Sequence, residues 1–211
     1  MKFTPIEHRS EEWFQLRLGM PTASQFDRIM TPAKGELSKQ RHLYAGELIG
    51  ERIFKRPMSK DLSGIPAAEH GIETEPEAAR KLQEILGDLL LSGGFMTDDR
   101  GRYGCSADRQ IISGNRREVI EIKCPQIPQH IANLLYGLDD KYQIQIQGQL
   151  LISEYDRAYF FSYHPLCPPR LVKVERDEVF IRKLARALDQ FCEELEEDYQ
   201  KALKAGKWVT S

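Results

Sequence analysis

The segment Val119-Ile120-Glu121-Ile122-Lys123-Cys124 alternates with a period of two. A strand has that period, and it sets Val119, Glu121 and Lys123 on one face and Ile120, Ile122 and Cys124 on the other. An acid and a base therefore share a face. Upstream, Ser113-Gly114-Asn115-Arg116-Arg117 is rich in residues that tolerate turn or left-handed conformations. The preceding run, with Asp108 and Ile111-Ile112, is thus expected to fold back as an antiparallel neighbour. That brings Asp108 beside Glu121 and Lys123.

Two carboxylates converging on one point repel each other unless a cation sits between them, and hard oxygen donors suit Mg²⁺, with Mn²⁺ as a substitute. The Lys123 ammonium is then placed to orient a water or to offset charge developing on a phosphate. The order Asp, spacer, Glu-x-Lys is the active-site signature of the restriction-endonuclease-like nucleases. The signature is short, and Glu-x-Lys on an exposed strand also reads as solvated charge.

With 211 residues and 41% hydrophobic content, the chain is expected to form one domain, 1–211, with a core of ordinary size. No run approaches the roughly 20 apolar residues that cross a bilayer, and Met1-Lys2-Phe3-Thr4-Pro5 lacks the apolar core of a signal peptide. A cytoplasmic protein is expected. Cys105, Cys124, Cys167 and Cys192 include no Cys-x-x-Cys pair, so they read as reduced thiols, not as a zinc ribbon or disulfides. Net charge is −2, unevenly spread. Nine Lys or Arg stand against four Asp or Glu between Arg17 and Lys60, and four against nine between Glu175 and Asp198. One end is expected to face a polyanion and the other solvent or a partner; an uneven surface without function is the alternative.

Ser10 is expected to cap a helix with Glu11 and Glu12 in its first turn and Gly19 as its stop. Thr22-Ala23-Ser24 reads as a second helix start whose hydroxyls and N–H groups make an anion-friendly concavity, although capping alone also explains Thr22 and Ser24. Ser38 to Phe54 reads as a helix with Leu43, Leu48, Ile49 and Ile53 inward. Met58 to Pro66 reads as a loop. Thr74-Glu75-Pro76-Glu77 fits a capping box opening a helix to about Leu86, which sets Glu75 at a helix beginning. Leu89 to Met96 is expected to join the Asp108 and Glu121 strands in an antiparallel sheet. From Tyr142 to Leu151 the Gln/Ile alternation looks like a strand, while Tyr142, Ile146 and Leu150 recur as in a helix. The glutamines suit phosphate or sugar contacts. Arg157 to Tyr163 and Leu171 to Glu175 read as strands. Asp177 is expected to cap a last helix that turns Ile181, Leu184, Leu188, Phe191 and Leu195 inward.

Taken together, these blocks resemble the phage λ exonuclease type of alkaline exonuclease over almost the whole chain. Trp13-Phe14-Gln15-Leu16-Arg17-Leu18-Gly19 with Thr22-Ala23-Ser24 is similar to that family's opening motif. Gly71, Glu75 and Ala78 resemble the second, Cys105-Ser106-x-Asp108 the third, Glu121-Ile122-Lys123-Cys124-Pro125 the fourth, and Tyr142-x-x-Gln145-x-Gln147 the fifth. The resemblance implies an α/β fold of the α+β kind, with a restriction-endonuclease-like core whose central mixed sheet is flanked by helices. It places the fifth motif on a helix. It also implies an exonuclease that digests duplex DNA from the 5′ end and leaves a 3′ single strand for phage-type recombination, in a bacterial host carrying a phage or prophage.

By position in the motifs, Asp108, Glu121 and the Ile122 carbonyl would bind the metal and Glu75 would complete the site. Lys123 and Gln145 would lie near the attacking water. Arg17, Ser24 and Ser106 would hold the terminal 5′-phosphate, with Gln129 and Gln147 among the DNA contacts. The family also implies a homotrimeric ring around the duplex and a single-strand annealing recombinase as partner, with no membrane association.

Two positions depart from the pattern. The family often has Pro-Asp-Gly where this chain has Ala107-Asp108-Arg109, and an arginine of the phosphate pocket corresponds here to Gln129, followed by His130. The rival readings are a restriction-like nuclease of different polarity, such as a Cas4-like exonuclease with an iron–sulfur cluster, and a non-catalytic DNA-end-binding module.

Overall fold

The alternation around Glu121 becomes the central strand of a five-stranded sheet with a separate apolar cluster on each face. The computed structural model describes residues 1–58 and 65–209, so the loop expected from Met58 to Pro66 falls mostly outside the described residues. In chain order the elements are β1 (Lys2–Thr4), α1 (Glu11–Arg17), a 3-10 helix (Ala23–Arg28), α2 (Arg41–Phe54) and α3 (Pro66–Leu86). Then come β2 (Leu91–Ser92), β3 (Phe95–Thr97), β4 (Gly104–Cys105), β5 (Arg109–Ser113) and β6 (Arg116–Lys123). The chain continues through α4 (Ile127–Tyr136), α5 (Asp140–Ser153), β7 (Arg157–Ser162), β8 (Arg170–Glu175) and α6 (Glu178–Lys204).

The large sheet has the order β2-β5-β6-β7-β8. It is mixed, as expected: β6 and β7 run parallel and the other pairs antiparallel. Ser113 pairs with Arg116 across a two-residue turn, and Gly114 takes φ 57° there, a conformation glycine adopts without penalty. The expected strand from Leu89 to Met96 splits in two. β2 pairs with β5, but β3 leaves to pair with β1 and β4 in a second, three-stranded sheet. The chain crosses at Gly93, where a Cβ would lie 1.9 Å from the Ala107 carbonyl oxygen, so no larger residue fits that crossing.

On one face of the sheet, Ile111, Ile120, Ile122 and Phe161 pack with Ala78 and Leu82 of α3. On the other, Val119, Ala158 and Phe160 meet Ile144, Ile146 and Leu150 of α5 and the apolar stripe of α6. Fully burying one such side chain contributes about 1.5–3 kcal/mol. Helix α5 is covered on nearly all sides, which explains why its pattern reads ambiguously: buried apolar residues and buried glutamines alternate around the circumference. Asp139 caps it by accepting the Lys141 N–H at 2.8 Å. A Cβ on Gly148 would come within 2.6 Å of the Phe26 ring, and this close approach lets the 3-10 helix pack on α5.

Four expectations change. Helix α3 begins at Pro66, not at Thr74, so Thr74 is no cap and Glu75 stands mid-helix. Pro66 opens the helix with its fixed φ, and the helix continues through Pro76 although proline donates no backbone hydrogen bond. The buried stripe of α2 is Tyr44, Ala45 and Leu48, while Leu43 is 69% exposed. Tyr44 stacks on Phe191 of α6 at 5.8 Å, which turns Leu43 outward. Thr22 opens only a six-residue 3-10 helix, without a side-chain cap.

The fourth change concerns charge. Asp177 caps α6 and the expected stripe faces inward, but the acidic face of this helix does not stand apart from the basic region. Arg41 pairs with Glu194 at 3.5 Å and Arg52 with Glu196 at 3.0 Å. Part of the charge asymmetry thus cancels where α2 meets α6. No helix among the described residues is long and apolar enough to cross a membrane.

Candidate active site

Asp108 immediately precedes β5, and its N–H donates to the Ile120 carbonyl at 3.0 Å. Its Oδ2 accepts the Ile122 N–H at 2.6 Å. The hairpin therefore brings Asp108 to the strand that carries Glu121 and Lys123, as the turn chemistry predicted. Glu121 is 2% exposed. Its Oε1 accepts from Gln145 Nε2 at 2.6 Å and from the Lys123 ammonium, and its Oε2 accepts from Gln149 Nε2 at 2.5 Å. Three donors satisfy a charge whose burial alone would be costly.

Burial pushes the Asp108 carboxyl up to about 8, with the negative charges of Glu121 and Glu75 adding to it and Lys123 and the Ile122 N–H opposing. Burial would depress Lys123, but the carboxylates of Glu121 and Asp108 outweigh it and hold the ammonium above its ordinary value. A carboxyl raised in this way beside a second carboxylate marks a site where a cation relieves repulsion, and such oxygens are the donors a hard divalent ion takes. Among the described residues no group of three or more His, Cys, Asp or Glu side chains is disposed to hold a metal.

Glu75 does not join the carboxylate pair. Its two oxygens face Arg9 Nη2 at 3.2 Å and Arg109 Nη1 at 3.4 Å, and Arg109 also donates to the Asp108 carbonyl at 2.6 Å. His8 stands at the same edge, with Nδ1 3.8 Å from Asp108 Oδ1.

Beside this centre lies a second cluster. The Trp13 indole donates to Ser106 Oγ at 2.8 Å, and the Arg17 guanidinium lies 4.0 Å over the same ring. Arg17 Nη2 donates to Thr22 Oγ1 at 3.3 Å, which is 3.5 Å from Ser24 Oγ. Arg17, Ser24 and Ser106 are thus gathered around Trp13 and Thr22.

Two expected contacts lie elsewhere. Gln129 is exposed on the first turn of α4 and donates to Asn133 at 3.2 Å, while His130 is fully buried between Ser162 and the Pro168 carbonyl. Gln147 is 1% exposed; its amide donates to the Glu175 carbonyl and accepts the Asp177 N–H, so it joins β8 to α6 and does not reach a surface. Sequence reasoning missed Gln149 and Arg9. Gln149 was legible in principle, since it lies one helical turn after Gln145 and therefore on the same face. Nothing in the sequence marked Arg9.

Comparison with solved structures places this geometry among known proteins. An alkaline exonuclease from Laribacter hongkongensis superposes with a TM-score of 0.81 at 28% identity, over 93% of this chain and 100% of that one. The same exonuclease in complex with dAMP gives a TM-score of 0.80 at 28% identity, with the same coverage. A phage-related exonuclease from Haemophilus somnus 129PT shares the fold, with a TM-score of 0.60 at 16% identity over 85% of this chain and 96% of that one. No curated protein sequence matches the chain. The profile of the YqaJ-like viral recombinase domain matches residues 12–156, a span that holds Asp108, Glu121, Lys123 and Gln145, and the chain therefore belongs to the YqaJ-like viral recombinase family.

Proposed function

We propose that the chain is a metal-dependent DNA exonuclease that degrades duplex DNA from its 5′ end and leaves 3′ single-stranded overhangs for recombination. The observation that carries this reading is the buried Glu121 carboxylate, in contact with Lys123 and adjacent to Asp108 across the β5–β6 hairpin. Family membership and the likeness to an alkaline exonuclease point the same way.

Asp108 and Glu121, with the Ile122 carbonyl, would hold Mg²⁺, for which Mn²⁺ substitutes. Such an ion polarises a phosphate and lowers the pKa of a bound water. Gln145 and Gln149 fix the Glu121 carboxylate, so its oxygens need no rearrangement when substrate arrives. The Lys123 ammonium, kept charged by its neighbours, can donate to the attacking water or to a phosphate oxygen. Arg17, Ser24 and Ser106 would receive the terminal 5′-phosphate, with the Trp13 stack fixing the guanidinium plane. In this reading the enzyme works as a homotrimeric ring around duplex DNA and hands its product to a single-strand annealing recombinase. Its setting is the cytoplasm of a bacterial host, where it serves a phage or prophage.

The test is digestion of duplexes labelled at either the 5′ or the 3′ end, with Mg²⁺ and with chelator. The expected result is nucleotide release from the 5′ end that needs the metal. Release in chelator, or from the 3′ end first, overturns the assignment.

A further inference from the structure

A cleft of about 590 Å³ opens beside Asp108, walled by Phe3, Ile6, His8, Arg9, Glu75 and Arg109. That volume suits a nucleotide-sized group. Arg9 takes φ 67°, in the left-handed region that non-glycine residues seldom occupy, and such backbone is kept where the surroundings hold it. From this position its guanidinium reaches Glu75 Oε2 at 3.2 Å, while Arg109 Nη1 lies 3.4 Å from Oε1. Two guanidinium groups thus close on one carboxylate. Carboxylate and phosphate present the same paired oxygens to such forks. Arg109 is also tied to the Asp108 carbonyl at 2.6 Å, so any anion it binds is held next to the reacting centre.

We propose that Arg9 and Arg109 form a clamp for a backbone phosphate of the strand being cut, and that Glu75 occupies this clamp as an internal stand-in until DNA arrives. An incoming phosphate displaces the carboxylate and frees Glu75 to turn toward Asp108 and Glu121. This inference rests on the exonuclease reading above. It gives a role to Arg109, which is tied both to Glu75 and to the Asp108 carbonyl.

The experiment measures equilibrium binding of a 5′-phosphorylated duplex in chelator, by fluorescence anisotropy over a range of salt, with melting curves for each variant. Arg9→Ala and Arg109→Gln should each reduce the slope of log affinity against log salt, and the double variant by about 0.9, the value for one phosphate contact. Arg109→Lys, which keeps the charge, should restore the slope. Glu75→Gln should bind roughly threefold tighter or more, because a competing anion has been removed. Arg9 is on the surface, so its variant keeps the test open even if Arg109→Gln fails to fold. Unchanged slopes in folded arginine variants, or a folded Glu75→Gln that binds no tighter than the parent, overturn the clamp. A parent that neither binds nor digests the duplex overturns the exonuclease reading as well.

Discussion

Gln149, one helical turn beyond Gln145, donates to the second oxygen of Glu121, so both oxygens of this buried carboxylate are held by amides from a single face of α5. Removing the Gln149 amide strands Oε2 of a charge that water barely reaches, whereas Oε1 keeps the Lys123 ammonium. Gln149→Leu is expected to lower stability by about 1–3 kcal/mol, the penalty for an unsatisfied buried group. It should also lower turnover by roughly 10–100-fold, as loss of an outer hydrogen-bond partner does at metal sites. Urea midpoints and turnover at saturating DNA measure the two effects. Parent-like values for both would reduce Gln149 to a space-filling residue.

Asp108→Ala and Glu121→Ala are expected to abolish metal-dependent cleavage, because each removes a charged oxygen donor from a site that needs both. Lys123→Ala should lose turnover and keep duplex binding, since in the proposed mechanism the ammonium acts on the reacting phosphate and does not hold the strand. Near-parent cleavage by any of these purified variants would remove the basis for the assignment.

The cluster around Trp13 makes a separate prediction about the DNA end. A 5′-phosphorylated duplex should be degraded faster than a 5′-hydroxyl one, and Arg17→Ala should shrink that difference. Gln129 is exposed on α4, engaged with Asn133 and not among the residues gathered around Trp13, so Gln129→Arg should leave the preference unchanged. Equal rates on both ends in the parent protein would make Arg17 structural, a pillar between Trp13 and Thr22.

The central hairpin was legible because its information is local. Period-two alternation fixes the two faces of β6, and Gly114 marks the turn that returns Asp108 to it. The stripe of α6 was legible for the same reason. What escaped was set by long-range packing. Thr74 and Glu77 satisfy a capping pattern, yet Pro66 opens the helix eight residues earlier, so a correct local signal lost to an upstream start. Gln147 and Gln149 read alike in sequence; the first joins β8 to α6 and the second holds Glu121, a difference that only the placement of α5 decides. Arg9 reaches Glu75 through an unusual backbone conformation, which residue type alone does not announce.

Of the three histidines gathered near the end of β7, His164 is expected to give the fold a dependence on pH. The His164 ring lies 5.1 Å from His70 and 6.4 Å from His130, and its Nδ1 accepts the Leu166 N–H at 3.2 Å. Burial, and then the nearby His70 and His130, hold the pKa of His164 below its ordinary 6.5. Between that depressed value and 6.5 this histidine is protonated in the unfolded chain and neutral in the folded one, so its own contribution to stability rises with pH and is lost on acidification, while Asp108, held up to about 8, contributes with the opposite sign. Urea midpoints at about pH 5 and about pH 7 should therefore show His164→Gln gaining stability relative to the parent at the lower pH. The same difference between variant and parent at both pH values would assign the effect to other groups.

The charge balance, as the fold arranges it, bears on the ring assembly that the family resemblance implies. Contacts from Lys and Arg to a DNA backbone weaken steeply with salt, and a chain of net charge −2 has few cations to spare. Arg41 and Arg52 are already committed to Glu194 and Glu196, so the basic surface open to DNA is smaller than the sequence count indicates. Simple attraction would then give short tracts of digestion that shrink as salt rises. A closed ring holds its substrate by enclosure, which salt does not screen, and cyclic symmetry supplies such closure from one repeated interface. A homotrimer is expected in sedimentation at working concentration, with tract length per encounter nearly the same at two salt levels. A monomer with short, salt-sensitive tracts would refute the ring. A monomer that still digests long tracts in one encounter would refute the enclosure argument itself.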